Sequence, residues 1–244
     1  KQGTTVEIVP SELALWMERI EAGEYLIADA TAQAVAALAA PPEPLVGGSF
    51  LEVGSGRGTK TVLLQHNALR AFGAQLPLFA LDLHAFKQGV LEERAERYGL
   101  QGVTPVVGDA TRLGELVAAG TLPASFGGAL IDAPCSGTGT LRRHPEIRWR
   151  LAPEEATAMA AQGLAMLRAV APHIAPGGSL TYSTCSVLAE ENERVVEAFL
   201  ASPEGASFEV QPLNTSPTGS APYLRTTLTP NSPDAHFAAR LLKE

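Results

Sequence analysis

Long apolar runs, positive charge and cysteine are all scarce in this 244-residue chain. No apolar run approaches the ~20 residues that a membrane-spanning helix needs, and no charged-then-apolar leader opens the chain. The expectation is a soluble, cytoplasmic protein with no membrane partner. Lys and Arg number 18 against 26 Asp and Glu, a formal net charge of −8. Affinity for nucleic acid comes largely from neutralising phosphates, so this balance excludes a whole-surface electrostatic grip and leaves only local patches. The two cysteines, Cys135 and Cys185, match neither a Cys-x-x-Cys redox pair nor a zinc set, so no metal is expected. Two free thiols are expected rather than a disulfide, and most free cysteines are simply small buried hydrophobes. No internal repeat is present.

What the chain does have is apolar bulk. With 45% hydrophobic residues it can bury a full core as one large domain over residues 1–244. It opens at Lys1 without a methionine, which suggests a trimmed or processed chain and a flanking domain that is missing.

Residues 1–48 read as a helical lead-in. Ser11 as a cap, followed by Leu13, Trp16, Met17 and Ile20, gives helical spacing with a stop at Gly23. An alanine-rich second helix fits Thr31–Ala40, before the Pro41-Pro42 pair and a Gly47-Gly48 turn. From Ser49 onward the pattern alternates. Strands are predicted at Phe50–Val53, Leu78–Leu81, Thr104–Val107, Ala129–Ile131 and Ser179–Ser183, and helices at about 59–72, 86–98, 153–175 and 189–201. Repeated βα units over 49–244 imply an α/β fold: a mostly parallel, twisted sheet with helices on both faces. Residues 216–234 are predicted as loops around a strand near Leu224–Leu228.

In open sheets of this kind ligands bind at the carboxyl ends of the strands. The first predicted strand ends in a glycine-rich turn, Gly54, Ser55, Gly56, Arg57, Gly58, Thr59 and Lys60, leading into a helix. Glycines let a backbone approach a ligand closely, and a helix amino end offers unpaired N–H groups to a carboxylate or phosphate. Alone, such a turn is weak evidence. Asp82 follows the second strand, where an acidic side chain can accept both ribose hydroxyls of a nucleoside. Asp109 ends the third, where a carboxylate can receive an adenine amino group, and Asp132 ends the fourth. Three acidic strand ends suit an adenosyl ligand without phosphates, which favours S-adenosylmethionine over NAD. Each aspartate alone is equally a helix cap or turn residue.

The stretch DAPCSGTGTLRRHPEIRWR at 132–150 places a carboxylate and a thiol three residues apart beside a basic, aromatic segment. Arg142, Arg143, Arg148 and Arg150 fall within nine positions, with Trp149 among them. As an isolated cluster they would be a solvated face. Their place directly after the Asp132 loop points instead to an anionic substrate. Cys185 sits at the carboxyl end of another predicted strand, so the two thiols should share one sheet edge at neighbouring strands.

The segments DAPCSGTGTLRRHPEIRWR and YSTCSVLAEENE resemble the two cysteine motifs of the Nop/Sun family of RNA cytosine-5 methyltransferases, of the bacterial small-subunit rRNA type. The resemblance runs from about Gly23 to the carboxyl end. Three positions depart from it: the family's Cys-Ala-Ala-Pro-Gly-Gly-Lys run is the Gly54–Lys60 turn here, Ala28-Asp29 replaces Gln-Asp, and Asp234-Ala-His-Phe237 replaces Asp-Gly-Phe-Phe. The resemblance implies a Rossmann-like class I methyltransferase fold and S-adenosyl-L-methionine as cofactor, held by Gly54–Lys60, Asp82, Asp109 and Asp132. It implies RNA as partner, rRNA before tRNA, with Arg142, Arg143 and Arg148 as substrate contacts, a monomeric state, and a missing domain that binds RNA. It further implies that Cys185 attacks C6 of cytosine, that Asp132 holds the base edge and that Cys135 assists release. Lys60 would order the catalytic loop. Trp149 is a stacking candidate, though a tryptophan at a helix start is more often core. Glu191 and Asn192 either hold the loop after Cys185 or start a helix, and we expect the helix start.

Three other readings compete. DNA cytosine-5 chemistry would take Cys135 as nucleophile and leaves Cys185 without a task. A silent RNA-binding or assembly module is disfavoured by the presence of both cysteines and all three aspartates. An oxidoreductase lacks any constellation for handling hydride.

Overall fold

The computed structural model describes residues 13–41, 45, 48–216 and 219–244. The predicted cap at Ser11 and the predicted turn residues Pro42 and Gly47 lie outside the described residues. The lead-in consists of α1 (Leu13–Glu21) and α2 (Ala30–Ala39). Asp29 caps α2 by accepting the Thr31 N–H at 2.9 Å, which sets its start one residue before the predicted position.

The alternating portion runs β1 (Phe50–Val53), α3 (Thr59–Phe72), β2 (Leu78–Asp82), α4 (Ala85–Arg97), β3 (Val103–Val107), α5 (Leu113–Ala118) and β4 (Phe126–Asp132). It continues with α6 (Ile147–Arg150), α7 (Pro153–Val170), β5 (Ile174–Thr184), α8 (Glu193–Leu200) and β6 (Phe208–Val210), then β7 (Leu213–Ser216), β8 (Gly219–Ala221), β9 (Leu224–Arg225) and β10 (Phe237–Lys243). The main sheet has the order β3-β2-β1-β4-β5-β10-β6. From β3 to β5 all pairs are parallel, and β10 runs antiparallel to both β5 and β6. Strand order reverses between β1 and β4, so a crevice opens there at the carboxyl ends. The fold is a Rossmann-like α/β sheet, as expected.

Alternation along the strands builds a core on each face. Leu51, Val53, Ala129, Ile131 and Tyr182 pack with Leu113 of α5, Leu167 and Val170 of α7, and Val196 and Phe199 of α8. Phe50, Leu130 and Ala238 pack on the other face with Val35 of α2, Leu64 of α3 and Leu91 of α4. Each fully buried side chain of this size contributes about 1.5–3 kcal/mol, so both faces anchor the strand ends firmly.

Several boundaries differ from expectation. Helix α7 stops at Val170 rather than 175, because Pro172 cannot donate the next helical hydrogen bond, and β5 begins at Ile174, well before Ser179. Helix α5 was not expected; its six residues bury only Leu113, too short a span to show a period. Helix α8 starts at Glu193 instead of 189. Strand β10 was missed altogether. Its Phe-Ala-Ala-Arg-Leu-Leu-Lys composition favours helix locally, and pairing with β5 on one side and β6 on the other overrides that preference.

Candidate active site

The turn after β1 lies against the end of β4. Gly54 has φ 75°, and a Cβ there would stand 2.4 Å from the Asp132 carbonyl oxygen, so only glycine permits this approach. Beside it, Asp82 is buried and accepts the Gly56 N–H at 3.0 Å and the His84 N–H at 2.9 Å, with the Lys87 ammonium 3.3 Å away. The turn and the second strand are thereby locked together. Among the described residues the Ser55 hydroxyl is buried without a partner, Arg57 is exposed, and Thr59 accepts from Arg94 at 2.7 Å. Asp109 caps a short 3₁₀ turn, accepting the Thr111 N–H at 2.9 Å and its hydroxyl at 2.7 Å, so the ordinary capping role is present there. Leu83 and Val107, just after β2 and at the end of β3, are 57% and 50% exposed. Such apolar side chains at the crevice suit a flat aromatic base, and the reading of the acidic strand ends passed over them.

Further along the same edge, Lys60 and Asp132 form an ion pair at 2.7 Å, and the Ser183 hydroxyl donates to the other Asp132 oxygen at 3.2 Å. Burial works against the Lys60 charge, but the adjoining Asp132 carboxylate outweighs it and holds the ammonium above its ordinary pKa. Below this pair lies Glu52, fully buried, which accepts the Thr61 hydroxyl at 2.6 Å through one oxygen while the other has no partner. Burial pushes its pKa up to about 8. Glu52 stands two residues before the glycine-rich turn, inside the predicted strand Phe50–Val53, where the sequence points to no role for it.

The two thiols meet. Cys135 Sγ lies 3.3 Å from Cys185 Sγ, as their placement after adjacent strands β4 and β5 predicts. A hydrogen bond from the Cys135 thiol lowers the pKa of Cys185, against the cost of burial, and the Lys60 charge adds to the lowering. The same contact and burial raise Cys135 well above the ordinary thiol value. The two shifts run in opposite directions, down for Cys185 and up for Cys135.

The loops carrying these thiols are cross-tied. The Ser136 N–H donates to Glu191 Oε1 at 2.7 Å and its hydroxyl to Oε2 at 2.6 Å. Asn192 accepts the Thr184 hydroxyl at 2.5 Å and donates to the Ser186 carbonyl at 2.9 Å. The expectation that Glu191 and Asn192 merely start a helix is therefore wrong: both are buried and hold the loop, because their side chains point back across the sheet edge instead of into solvent. Gly139 closes the arrangement, donating its N–H to the Cys185 carbonyl at 2.8 Å; a Cβ there would lie 2.0 Å from the Ala235 carbonyl oxygen.

The arginines divide. Arg143 pairs with the buried Asp234, whose N–H reaches Asp29 at 3.0 Å and whose carbonyl accepts the Thr31 hydroxyl. Arg142 and Arg148 stay exposed, with Arg148 stacked 5.5 Å over Trp149. Trp149 itself is 77% exposed and is not a core residue. His236, which the sequence marks only as part of the departure at 234–237, is buried with Nδ1 unpartnered among the described residues; burial and then Lys60 lower its pKa.

A glycine-rich turn, an acidic strand end and two thiols on neighbouring strands form a pattern with known relatives. The family described as 16S rRNA methyltransferase RsmB/F matches residues 41–242. The chain belongs to the RsmB/F family. Ribosomal RNA small subunit methyltransferase B from Enterobacter sp. (strain 638) is 32% identical over 224 residues, covering 92% of this chain and 48% of that protein. The probable ribosomal RNA small subunit methyltransferase B from Synechocystis sp. (strain ATCC 27184 / PCC 6803 / Kazusa) is 34% identical over 204 residues, covering 81% and 42%. Among solved structures, NSun6 from Pyrococcus horikoshii superposes with a TM-score of 0.76 at 22% identity, covering 93% of this chain and 55% of that one, a likeness of fold. This RsmB/F chain spans about half the length of the curated relatives it matches. Among its described residues no helix is long and apolar enough to cross a membrane.

Proposed function

We propose that this chain is the catalytic part of an S-adenosylmethionine-dependent RNA cytosine-5 methyltransferase acting on small-subunit rRNA, with Cys185 as nucleophile. The observation that carries the reading is the thiol pair at 3.3 Å beside the Lys60–Asp132 ion pair. The cofactor fits the residues present: Ser55 has an unpartnered buried hydroxyl, Asp82 presents a buried carboxylate for ribose hydroxyls, and Leu83 and Val107 offer apolar surface for adenine. The Gly54–Lys60 turn, Asp82, Asp109 and Asp132 would hold it. Bound there, it supplies an electrophilic methyl group.

C5 of cytosine is a weak nucleophile. The Cys185 thiolate adds to C6, and the electron pair of the C5–C6 bond shifts onto C5. Asp132 accepts the N4 amino N–H at the base edge, and the Lys60 ammonium beside it steadies the charge on the ring. Once Cys185 sulfur is a neutral thioether, the charge that raised the Cys135 pKa is gone. Cys135 can then release its proton to solvent and take the proton from the methylated C5, and the returning electrons expel the Cys185 thiolate.

The base must leave any stack to be attacked above its ring, so the substrate is a flipped or unpaired cytosine. Arg142, Arg148 and the exposed Trp149 supply the local cationic and stacking contacts that the net charge of −8 denies to the surface as a whole. Two finer expectations go with this reading: a cytoplasmic location alongside the ribosomal substrate, and a monomeric state that light scattering checks.

The test is transfer of labelled methyl from S-adenosylmethionine to unmodified small-subunit rRNA by wild type, Cys185→Ala and Cys135→Ala, with denaturant-resistant protein–RNA adducts scored alongside. Cys185→Ala is expected to be inactive without adduct, and Cys135→Ala to trap one. The reverse pattern would move the nucleophile to Cys135 and overturn the assignment.

A further inference from the structure

Glu191 touches neither thiol, yet it connects the two loops that carry them. Its main chain is fixed on the Cys185 side, where its carbonyl accepts the hydroxyl of the buried Tyr182 at 2.8 Å. Its side chain crosses to the Cys135 side and uses both oxygens on one residue, Ser136, at 2.7 and 2.6 Å. A carboxylate 1% exposed costs far more to bury than an apolar side chain of equal size, so loop packing alone does not explain it. What it adds is direction. Two bonds, one to the N–H of Ser136 and one to its hydroxyl, fix the peptide immediately after Cys135 and with it the line from Cys135 Sγ to Cys185 Sγ. The Ser136 hydroxyl also lies 3.3 Å from that of Ser186, next to Cys185, so the same oxygen joins both loops.

We propose that Glu191 is a positioning residue for the release half of the reaction, aiming Cys135 at the C5 proton; this rests on the function proposed above. Attack by Cys185 takes from Cys135 only the thiol contact at 3.3 Å, and its own loop is tied independently by Asn192 through Thr184 and Ser186. Release needs Cys135 in register. Loss of Glu191 therefore resembles loss of Cys135 and leaves attack intact.

The experiment follows adduct formation and adduct decay separately, in the full chain with unmodified small-subunit rRNA and S-adenosylmethionine. Removing the partner of buried donors at a charged acceptor should slow decay in Glu191→Ala by about 10–100-fold, with formation within about threefold of wild type. Glu191→Gln, which can accept from the Ser136 N–H and donate to its oxygen, should restore decay to within about threefold. In a Cys135→Ala background Glu191→Ala should add less than about twofold. If Glu191→Ala does not fold, Ser136→Ala, which removes one of the two bonds, decides by the same readout with a smaller delay in decay. Equal slowing of formation and decay, additivity with Cys135→Ala, or a Glu191→Gln as slow as Glu191→Ala would each overturn the proposal. Absence of any adduct or methylation by wild type would instead overturn the underlying function.

Discussion

The two ends of one sheet edge are built differently. At the turn after β1 and the ends of β2 and β3, Asp82 takes three donors, but a neighbouring hydroxyl has no partner and large apolar side chains stand exposed. At the ends of β4 and β5, Ser136, Thr138, Thr184, Ser186, Glu191 and Asn192 bond one another through buried side chains. The first end is shaped to be completed by a ligand. The second is complete in itself, so its geometry should survive changes made at the first.

Gly139→Ala is the severest challenge to the self-contained end. A Cβ placed 2.0 Å from one carbonyl oxygen and 2.7 Å from another must push the Cys135 and Cys185 loops apart. Destabilisation of about 3 kcal/mol or more is expected in chemical denaturation, with loss of adduct formation. A variant of wild-type stability would show that the loops are slack.

Glu52 lies beneath the Lys60–Asp132 pair and makes the stability of the fold depend on pH. Its folded pKa of about 8 stands above its ordinary 4.5, so its neutral form is the one the fold tolerates. Stability is complete below pH about 4.5 and declines as pH rises to about 8, beyond which the loss is constant. Glu52→Gln should remove that decline and be the more stable chain by a few kcal/mol at pH 9, the gap closing towards pH 5. Parallel Tm-against-pH curves for the two chains would refute the assignment.

Asp82→Ala should act on one end only. Losing a charged acceptor costs about 1.5–3 kcal/mol, or roughly 10–100-fold in cofactor Kd by calorimetry, while the alkylation rate of Cys185 stays as it was. A change in both would mean the ends are coupled. Cys135→Ala is the converse and the mildest. Without the thiol hydrogen bond, the midpoint for alkylation of Cys185 by iodoacetamide should move up, with cofactor affinity unaltered. An unmoved midpoint would assign the lowered pKa to Lys60 instead.

Much of this difference was readable from residue order, for a physical reason. Parallel βα units repeat a local pattern, so β1 and α3 were placed to the residue, and the meeting of Cys135 with Cys185 followed from both ending neighbouring strands. Glu191 was misread because its acidic neighbours and the helix that follows look like a helix start; only the register of β4 against β5 brings it to Ser136. Strand β10 was invisible because nothing within it says strand, and its long pairings are with β5 and β6, more than 30 residues away in sequence. Of the residues that precede it, Asp234 was legible only as part of a family pattern and His236 only as a departure from one.

Asp29 and Asp234 meet across 205 positions of sequence. A chain emerging from its own ribosome can lay down β1 to β5 in order, yet β6 has no partner in the sheet until β10 arrives between it and β5. Loop closures of such span are slow and come last. The buried carboxylate that receives Arg143 arrives with that final segment. A nascent or carboxyl-truncated chain therefore holds both thiols but lacks the segment that ties the start of α2 to the Arg143 loop.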